Sequence, residues 1–329
     1  VVRLELCCAT FSLVHLALFI DLELPALAAL YAACTWGIGS HLFRRVLADP
    51  DPARRPSAAS ACMIKNLTAC LAFVGVWLIV GGAVPGSSSL AWLAWSGLLG
   101  FAIGDALFFG AVARCGVQVT GVVAQLNVPT AALLSWVLLG EELNTQEIAS
   151  MALVLGGATL VILDEPNVDG QTIGKKRHGV YLALLCAVCG GAGNMLGHGG
   201  MDGVEVVPGT VIRLGAGVIG AFLLAMIFDA GSLLGRRGGG ETKELVRPFH
   251  HPEMMKRLLF ATLIASVINL LPFNYALREL RGGISAVLFA TTPLFTLPLG
   301  PLFGERHGWR AVAGTLLGFL GVAGILSAS

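Results

Sequence analysis

The sequence predicts an all-α integral membrane protein: ten transmembrane helices as two inverted five-helix repeats, plus an apolar N-terminal segment. Three observations carry that prediction. Of 329 residues, 56% are hydrophobic and 12% charged, against about a quarter charged in an ordinary soluble domain. Apolar runs close to the roughly 20 residues needed to cross a bilayer recur along the chain, separated by short polar segments. The stretch "LNVPTAALLSWVLLGEELN", Leu126–Asn144, also sets out the same parts in the same order as "ATTPLFTLPLGPLFGERHG", Ala290–Gly308: an apolar run, a proline within it, and a Gly-Glu pair at its end.

The remaining composition fits that class and excludes others. Forty-three glycines would weaken soluble helices, yet small residues let helices approach closely in lipid, where packing replaces the missing hydrophobic drive. A net charge of +1 provides no basic footprint for nucleic acid. The eight cysteines mostly sit in apolar runs and read as small buried residues. Cys186 and Cys189 form a C-x-x-C, but no second pair lies at zinc-like spacing. His250-His251 has no third ligand, and reads as a solvated loop. Asn66-Leu67-Thr68 is a formal glycosylation sequon at the mouth of a predicted span, where a sugar could hardly be added. No cofactor or metal is implied.

Taken in order, the predicted spans cover about 24–45, 62–82, 90–113, 117–139, 144–163, 179–199, 207–230, 257–277, 283–303 and 309–328. Residues 1–20 are apolar apart from Arg3, Glu5, His15 and Asp21, which leaves an eleventh helix, an interfacial helix or a poorly defined start open. A cleaved signal peptide is disfavoured, because its basic region would be a single Arg and the next apolar run follows almost at once. Asp164–His178, "DEPNVDGQTIGKKRH", is the expected linker between halves, and Gly231–Arg257 the second polar loop. The expected organisation is an N-terminal apolar segment at 1–23, a first five-helix repeat at 24–163, a linker at 164–178 and a second repeat at 179–329.

A shift of 164 residues lays Pro129 on Pro293, Leu138 on Leu302, Gly140 on Gly304, Glu141 on Glu305, Ala149 on Ala313 and Gly157 on Gly321. Earlier spans echo with small gaps: "FFGAVARCG" at 108–116 resembles "FNYALRELRG" at 273–282, and Gly37/Gly39 sit like Gly191/Gly193. The chain contains itself twice. Five helices per half is an odd number, so the second copy enters the bilayer upside down. Inverted repeats of this kind build many secondary transporters, in which two halves rock about a central site.

The run "GDALFFGAVARCGVQVTGVVAQLNVPTAALLSWVLLGEELN" and its echo at Gly282–Gly308 resemble the EamA-type, ten-helix branch of the drug/metabolite transporter superfamily. The resemblance covers about residues 24–328. It is carried by "TWGIG" in the first span, "IGDALFFGA" in the third, the proline of the fourth followed by "LGEEL", and "ISAVLFATTPLF…FGE" in the second half. It implies a carrier of small metabolites, often an exporter of amino acids or related compounds, with spans three and four and their repeat partners lining the route.

Candidate site residues follow from the cost of polar groups in a bilayer, which turns them toward the bundle interior. Asp105 lies about mid-span, with Phe101, Phe108 and Phe109 on neighbouring turns, and reads equally as a proton carrier or a structural acceptor. His41 falls four residues after Gly37 and five after Trp36, and His198 four after Asn194, so each pair is expected along one helical face. Gln118 and Gln125 share a face of span four, with Asn127 beside the proline. Asn269 and Phe273 share one of span eight, with Asn274 and Tyr275 adjacent. Trp36, His41, Asp105, Phe109, Gln125, Asn127, Asn194, His198, Asn269 and Tyr275 are therefore the expected substrate-binding set. Pro129 and Pro293 are expected to kink spans four and nine, since proline removes a helical hydrogen bond. Glu141 and Glu305 read as turn residues near the start of the next helix, where a carboxylate favours the exposed amides.

These residues describe a secondary transporter moving a small polar or amphipathic, amino-acid-like metabolite by alternating access, in a plasma or inner membrane. Its partners are the solute, the lipid bilayer and, if Asp105 carries one, a proton. The alternative is a non-transporting receptor or assembly subunit with the same fold. No Walker-type loop occurs. "IGD" resembles the GxGD intramembrane proteases, but Ala102 stands where their first Gly would be and no intramembrane "YD" follows, so no enzyme is indicated. Of 21 Lys and Arg, the face bearing both termini keeps only Arg3, Arg213, Arg278 and Arg281. The positive-inside rule makes the other face cytoplasmic, whereas the family resemblance implies termini inside. Tags on each terminus, probed by protease in intact cells, are expected to be cleaved; a protected C-terminus overturns the charge reading.

Overall fold

The computed structural model describes residues 24–51, 54–139, 144–164, 173–233, 251–280, 288–305 and 307–328, and all regular structure among them is helical. The apolar segment at 1–23, Glu141 and His250 lie outside the described residues. The helices are α1 (Leu24–Leu47), α2 (Ala58–Val80), α3 (Ser87–Cys115), α4 (Val117–Ala124), α5 (Asn127–Leu139) and α6 (Thr145–Leu163). They continue as α7 (Ile173–Met201), α8 (Val206–Leu233), α9 (Pro252–Glu279), α10 (Thr292–Leu299) and α11 (Trp309–Ala328). Seven of these described helices are long and apolar enough to cross a bilayer: α1, α2, α3, α6, α7, α8 and α9.

Local chemistry places several ends. Ser57 caps α2 by accepting from the Ser60 amide at 3.0 Å. Asn144 and Glu147 form a reciprocal capping box at the start of α6, which satisfies two amides the first turn leaves free. Gly116, at φ +86°, is the single residue between α3 and α4, a backbone geometry that only glycine adopts without strain. Pro252 opens α9, five residues before the expected boundary, because proline at the first helical position loses no bond.

The expected spans at 117–139 and 283–303 are not simple kinked helices. The helix stops at Ala124 and resumes at Asn127, and in the second half α10 starts at Thr292 after a turn at Ala290–Thr291. Pro129 and Pro293 therefore lie in the first turn of the resuming helices rather than in a helix interior. Their missing N–H falls where an amide has no helical acceptor in any case. A further proline, Pro272, does sit inside a helix, α9.

Repeat-equivalent helices run antiparallel. Along the crossing of α6 and α11, Asp164 meets Gly308, Gly157 meets Gly314 and Gly318, and Gly321 meets Ser150 and Val154. The 164-residue shift exchanges Gly157 with Gly321, Ser150 with Gly314 and Val154 with Gly318, so the contacts map onto themselves. Ascending α6 therefore means descending α11. Spans four and nine behave alike: Gln118 bonds Thr296, Gly121 faces Pro293, and Gln125 bonds Ala290. Gly39 of α1 lies on Ala265 of α9, and its counterpart Gly193 of α7 lies on Gly100 of α3.

Both of those contacted segments are π-helical, Gly97–Gly104 within α3 and Leu263–Val267 within α9. The second falls inside the window onto which the repeat shift maps the first. Glycine is the contact residue because the backbones touch: a Cβ on Gly157 would lie 2.5 Å from the Gly314 carbonyl oxygen, whereas one on Gly156 meets only Leu317 at 3.5 Å. Gly157→Ala is expected to destabilise by about 1–3 kcal/mol, the usual cost of overpacking, and Gly156→Ala to be nearly neutral. Thermal unfolding of the purified variants in detergent tests the contrast.

Candidate functional site

The two helix breaks face each other across the middle of the bundle. At each, the chain makes a tight i to i+3 turn: Val128 N–H donates to Gln125 O at 3.0 Å, and Leu294 N–H to Thr291 O at 2.9 Å. The Gln125 side-chain amide then donates to the Ala290 carbonyl at 2.5 Å, joining one break to the other. Broken helices survive in lipid only where protein or a cavity satisfies the freed backbone groups.

Beside the breaks lies a chamber of about 130 Å³, with Trp36, Phe101, Asp105, Phe108, Asn127, Asn194, Asn269, Phe273 and Phe289 in its wall, together with Lys65, Arg213 and Ser266. A smaller cavity of about 50 Å³ shares Trp36, Phe108, Ala124, Asn127 and Phe289 with it and adds Ser40, Gln125, Pro293 and Thr296. An aromatic group separates the two. Trp36 stands 5.4 Å from Phe108 and 6.3 Å from Phe289 between ring centres, and Phe289 stands 4.8 Å from Phe273.

The chamber holds charge. Lys65 Nζ donates to Asp105 Oδ2 at 2.5 Å; the lysine side chain is 2% exposed and the aspartate 13%. Arg213 donates to Asn274 Oδ1, while the Asn274 amide donates to Thr210 at 2.9 Å. The Arg213 guanidinium lies 4.7 Å from the centre of the Phe101 ring and Lys65 Nζ 5.5 Å from it, so one aromatic ring serves both cations. Three buried polar atoms of chamber residues have no hydrogen-bond partner among the described residues: Asn127 Oδ1, Arg213 Nε and Ser266 Oγ. Asn269 is anchored, donating to Ala32 O and to Thr35 Oγ1 at 3.0 Å.

One end of the bundle is closed by Glu305. This 2%-exposed carboxylate accepts from the Val117 amide at 2.8 Å and the Gln118 amide at 3.3 Å, and pairs with Arg44 at 3.1 Å. It caps α4 of the other half, not the next helix in sequence, so the turn reading acquires a different partner. Burial holds the His307 imidazole below its ordinary range, with the Glu305 carboxylate opposing the shift. Gln118 extends the closure, donating to Thr315 at 2.8 Å and accepting from Thr296 at 2.7 Å.

The structure gathers six of the ten expected residues around the two cavities: Trp36, Asp105, Gln125, Asn127, Asn194 and Asn269. Four fall elsewhere. His41 is fully buried against Thr296 O at 3.2 Å and stacked on Phe303 at 4.6 Å; helical spacing brings Ser40, four residues after Trp36, onto the cavity face instead. Phe109 packs on Phe43 at 4.4 Å, away from the chamber, and Phe108 takes its place. Asp105, Phe108 and Phe109 share the regular helix Asp105–Cys115, and the chamber lies on the side of Asp105 that Phe108 faces. His198 is exposed at the end of α7, its Nδ1 3.3 Å from Leu277 O. Tyr275, two positions beyond Phe273, turns off the chamber face.

Lys65 and Arg213, which the charge count assigned one to each face, are both buried inside helices. Asn66 is buried too, donating to Phe101 O at 2.7 Å, so its sequon is inaccessible.

A buried ammonium stripped of its counter-ion is costly, whereas a well-packed apolar pair is tolerated. Asp105→Asn is therefore expected to destabilise by about 3–5 kcal/mol, and the double substitution Lys65→Met with Asp105→Leu to recover most of that loss. Melting of the purified proteins in one detergent checks it; an unaffected Asp105→Asn would deny the pair any structural weight.

The chain matches the EamA-like transporter family twice, over residues 24–163 and 177–327. A solved crystal structure of a protein 16% identical in sequence has the same fold, with a TM-score of 0.56 over 93% of this chain and 96% of that one. No curated protein matches the chain. With antiparallel repeat partners, facing helix breaks and a polar chamber between them, and with both halves matched, this multi-pass integral membrane protein belongs to the EamA-like transporter family.

Proposed function

We propose that the protein is a secondary carrier that moves a small polar or amphipathic metabolite by alternating access. The observation that supports this most directly is the meeting of two repeat-related helix breaks beside a chamber with unpartnered buried polar atoms. Unsatisfied polar groups are expensive in a low-dielectric interior, and a solute that hydrogen-bonds to Asn127 and Ser266 offsets that cost while it is bound. The aromatic group of Trp36, Phe108 and Phe289 stands between the chamber and the smaller cavity, where a passing solute has to displace it.

The Glu305 network defines the step. Glu305 from the second half binds Arg44 and the α4 amides from the first, so rocking one half against the other breaks these bonds and opens the smaller cavity at that end. The π-helical segments of α3 and α9 are suited to absorb the motion, since they are already departures from regular helix at the two lines where α7 and α1 cross them. Asp105 acts in this scheme as the fixed counter-ion of Lys65 rather than as a free proton carrier.

Reconstitution in liposomes, with an uptake screen over amino acids, nucleosides and organic acids with and without a pH gradient, tests the proposal. Saturable flux of one solute class is expected, and Asp105→Asn is expected to lower its rate without abolishing any pH dependence. Absence of flux for every class would favour a receptor or assembly subunit that retains the fold.

A further inference from the structure

The charges of the chamber do not balance. Its described charged lining consists of Lys65, Asp105 and Arg213. Asp105 pairs directly with Lys65 and acts on Arg213 only through space, without an ion pair. Arg213 is 1% exposed, and its direct partners are neutral: the Asn274 oxygen and the face of Phe101. Its Nε has no hydrogen-bond partner, and among the described residues it forms no ion pair. Asn274 is in turn pinned by Thr210, so the guanidinium is held in place with one edge unused. The chamber thus carries one net positive charge in a low-dielectric interior, where an uncompensated ion costs several kcal/mol.

From this we infer that the solute is a monoanionic carboxylate with an apolar body, its carboxylate bound at Arg213 and its body against Trp36 and Phe289. The inference rests on the carrier reading and names its substrate class. A guanidinium presents N–H donors in a planar fork that matches the two oxygens of a carboxylate. A dianion would overshoot the single positive charge. An amine would meet a like charge, and a zwitterion would need a second carboxylate beyond the one already bound to Lys65. The aromatic wall favours an apolar body over a heavily hydroxylated one.

Binding to the purified full-length chain in nanodiscs, measured by titration calorimetry at neutral pH, decides the matter with four probes of one shape: phenylacetate, phenylacetamide, phenethylamine and phenyl phosphate. Phenylacetate is expected to bind about tenfold or more tightly than its amide, the scale of a charge-assisted hydrogen bond, and the amine and the phosphate more weakly still. Arg213→Gln is expected to erase the preference of acid over amide, and Arg213→Lys to keep part of it. Equal binding of acid and amide, preference for the amine or the phosphate, no binding of any probe, or an Arg213→Gln protein that keeps the preference would overturn the inference. The comparison within the parent protein stands even if a variant fails to fold. Phenylacetate that binds yet crosses proteoliposomes no faster than protein-free liposomes would count against the carrier reading and leave the anion site in place; protein-dependent flux equal for acid and amide would do the reverse.

Discussion

Inside a bilayer, a backbone amide or carbonyl released by a broken helix has no water to bind, and this constraint orders the whole bundle. The chain interrupts itself before Pro129 and before Pro293, and both interruptions have to be turned toward protein. They are turned toward each other, with the Gln125 amide on the Ala290 carbonyl and Gln118 linked to Thr296 and Thr315. Once the breaks face inward from opposite halves, the polar space of the molecule can only lie between those halves. The chamber is thus a consequence of where the helices fail.

The same economy governs charge. Lys65 and Asp105 neutralise one another across α2 and α3, and Glu305 is held by a helix start and by Arg44. Each pairing joins elements that would otherwise slide apart, and the Glu305 pairing joins the two halves at one end of the route. Arg213 differs, since among the described residues its direct contacts are neutral, the Asn274 oxygen and the Phe101 ring. A buried ion pair is weak evidence for stability, because desolvation offsets much of the attraction; its value here lies in fixing which side chains face the cavity.

Glycine supplies the closeness on which this geometry depends. Gly157 and Gly321 bring α6 and α11 into backbone contact about a local twofold, and Gly39 and Gly193 do the same where α1 and α7 cross the π-helical parts of α9 and α3. Gly97 presses the π segment of α3 against the Arg213 backbone, which helps to hold that residue at the chamber wall. Close approach through small residues is how helices associate when lipid is as apolar as their side chains.

Length, hydropathy and the internal repeat determined the class of this protein, its apolar segments and their pairing, because bilayer thickness sets a length and a duplicated gene leaves a fixed offset. Polar residues within apolar runs pointed to an inward face, and Trp36, Asp105, Gln125, Asn127, Asn194 and Asn269 reached it. His41 shares a face with Gly37, both on Thr296, and lies 140° around from Trp36 in angle, while Phe109 packs on Phe43 instead of the chamber. Tertiary structure alone decided that Lys65 meets Asp105 across 40 residues, that Glu305 caps the helix of the other repeat, and that Arg213 forms no ion pair among the described residues. Those outcomes are set by which surfaces touch once ten or so apolar segments exclude lipid together, and linear spacing carries no record of that.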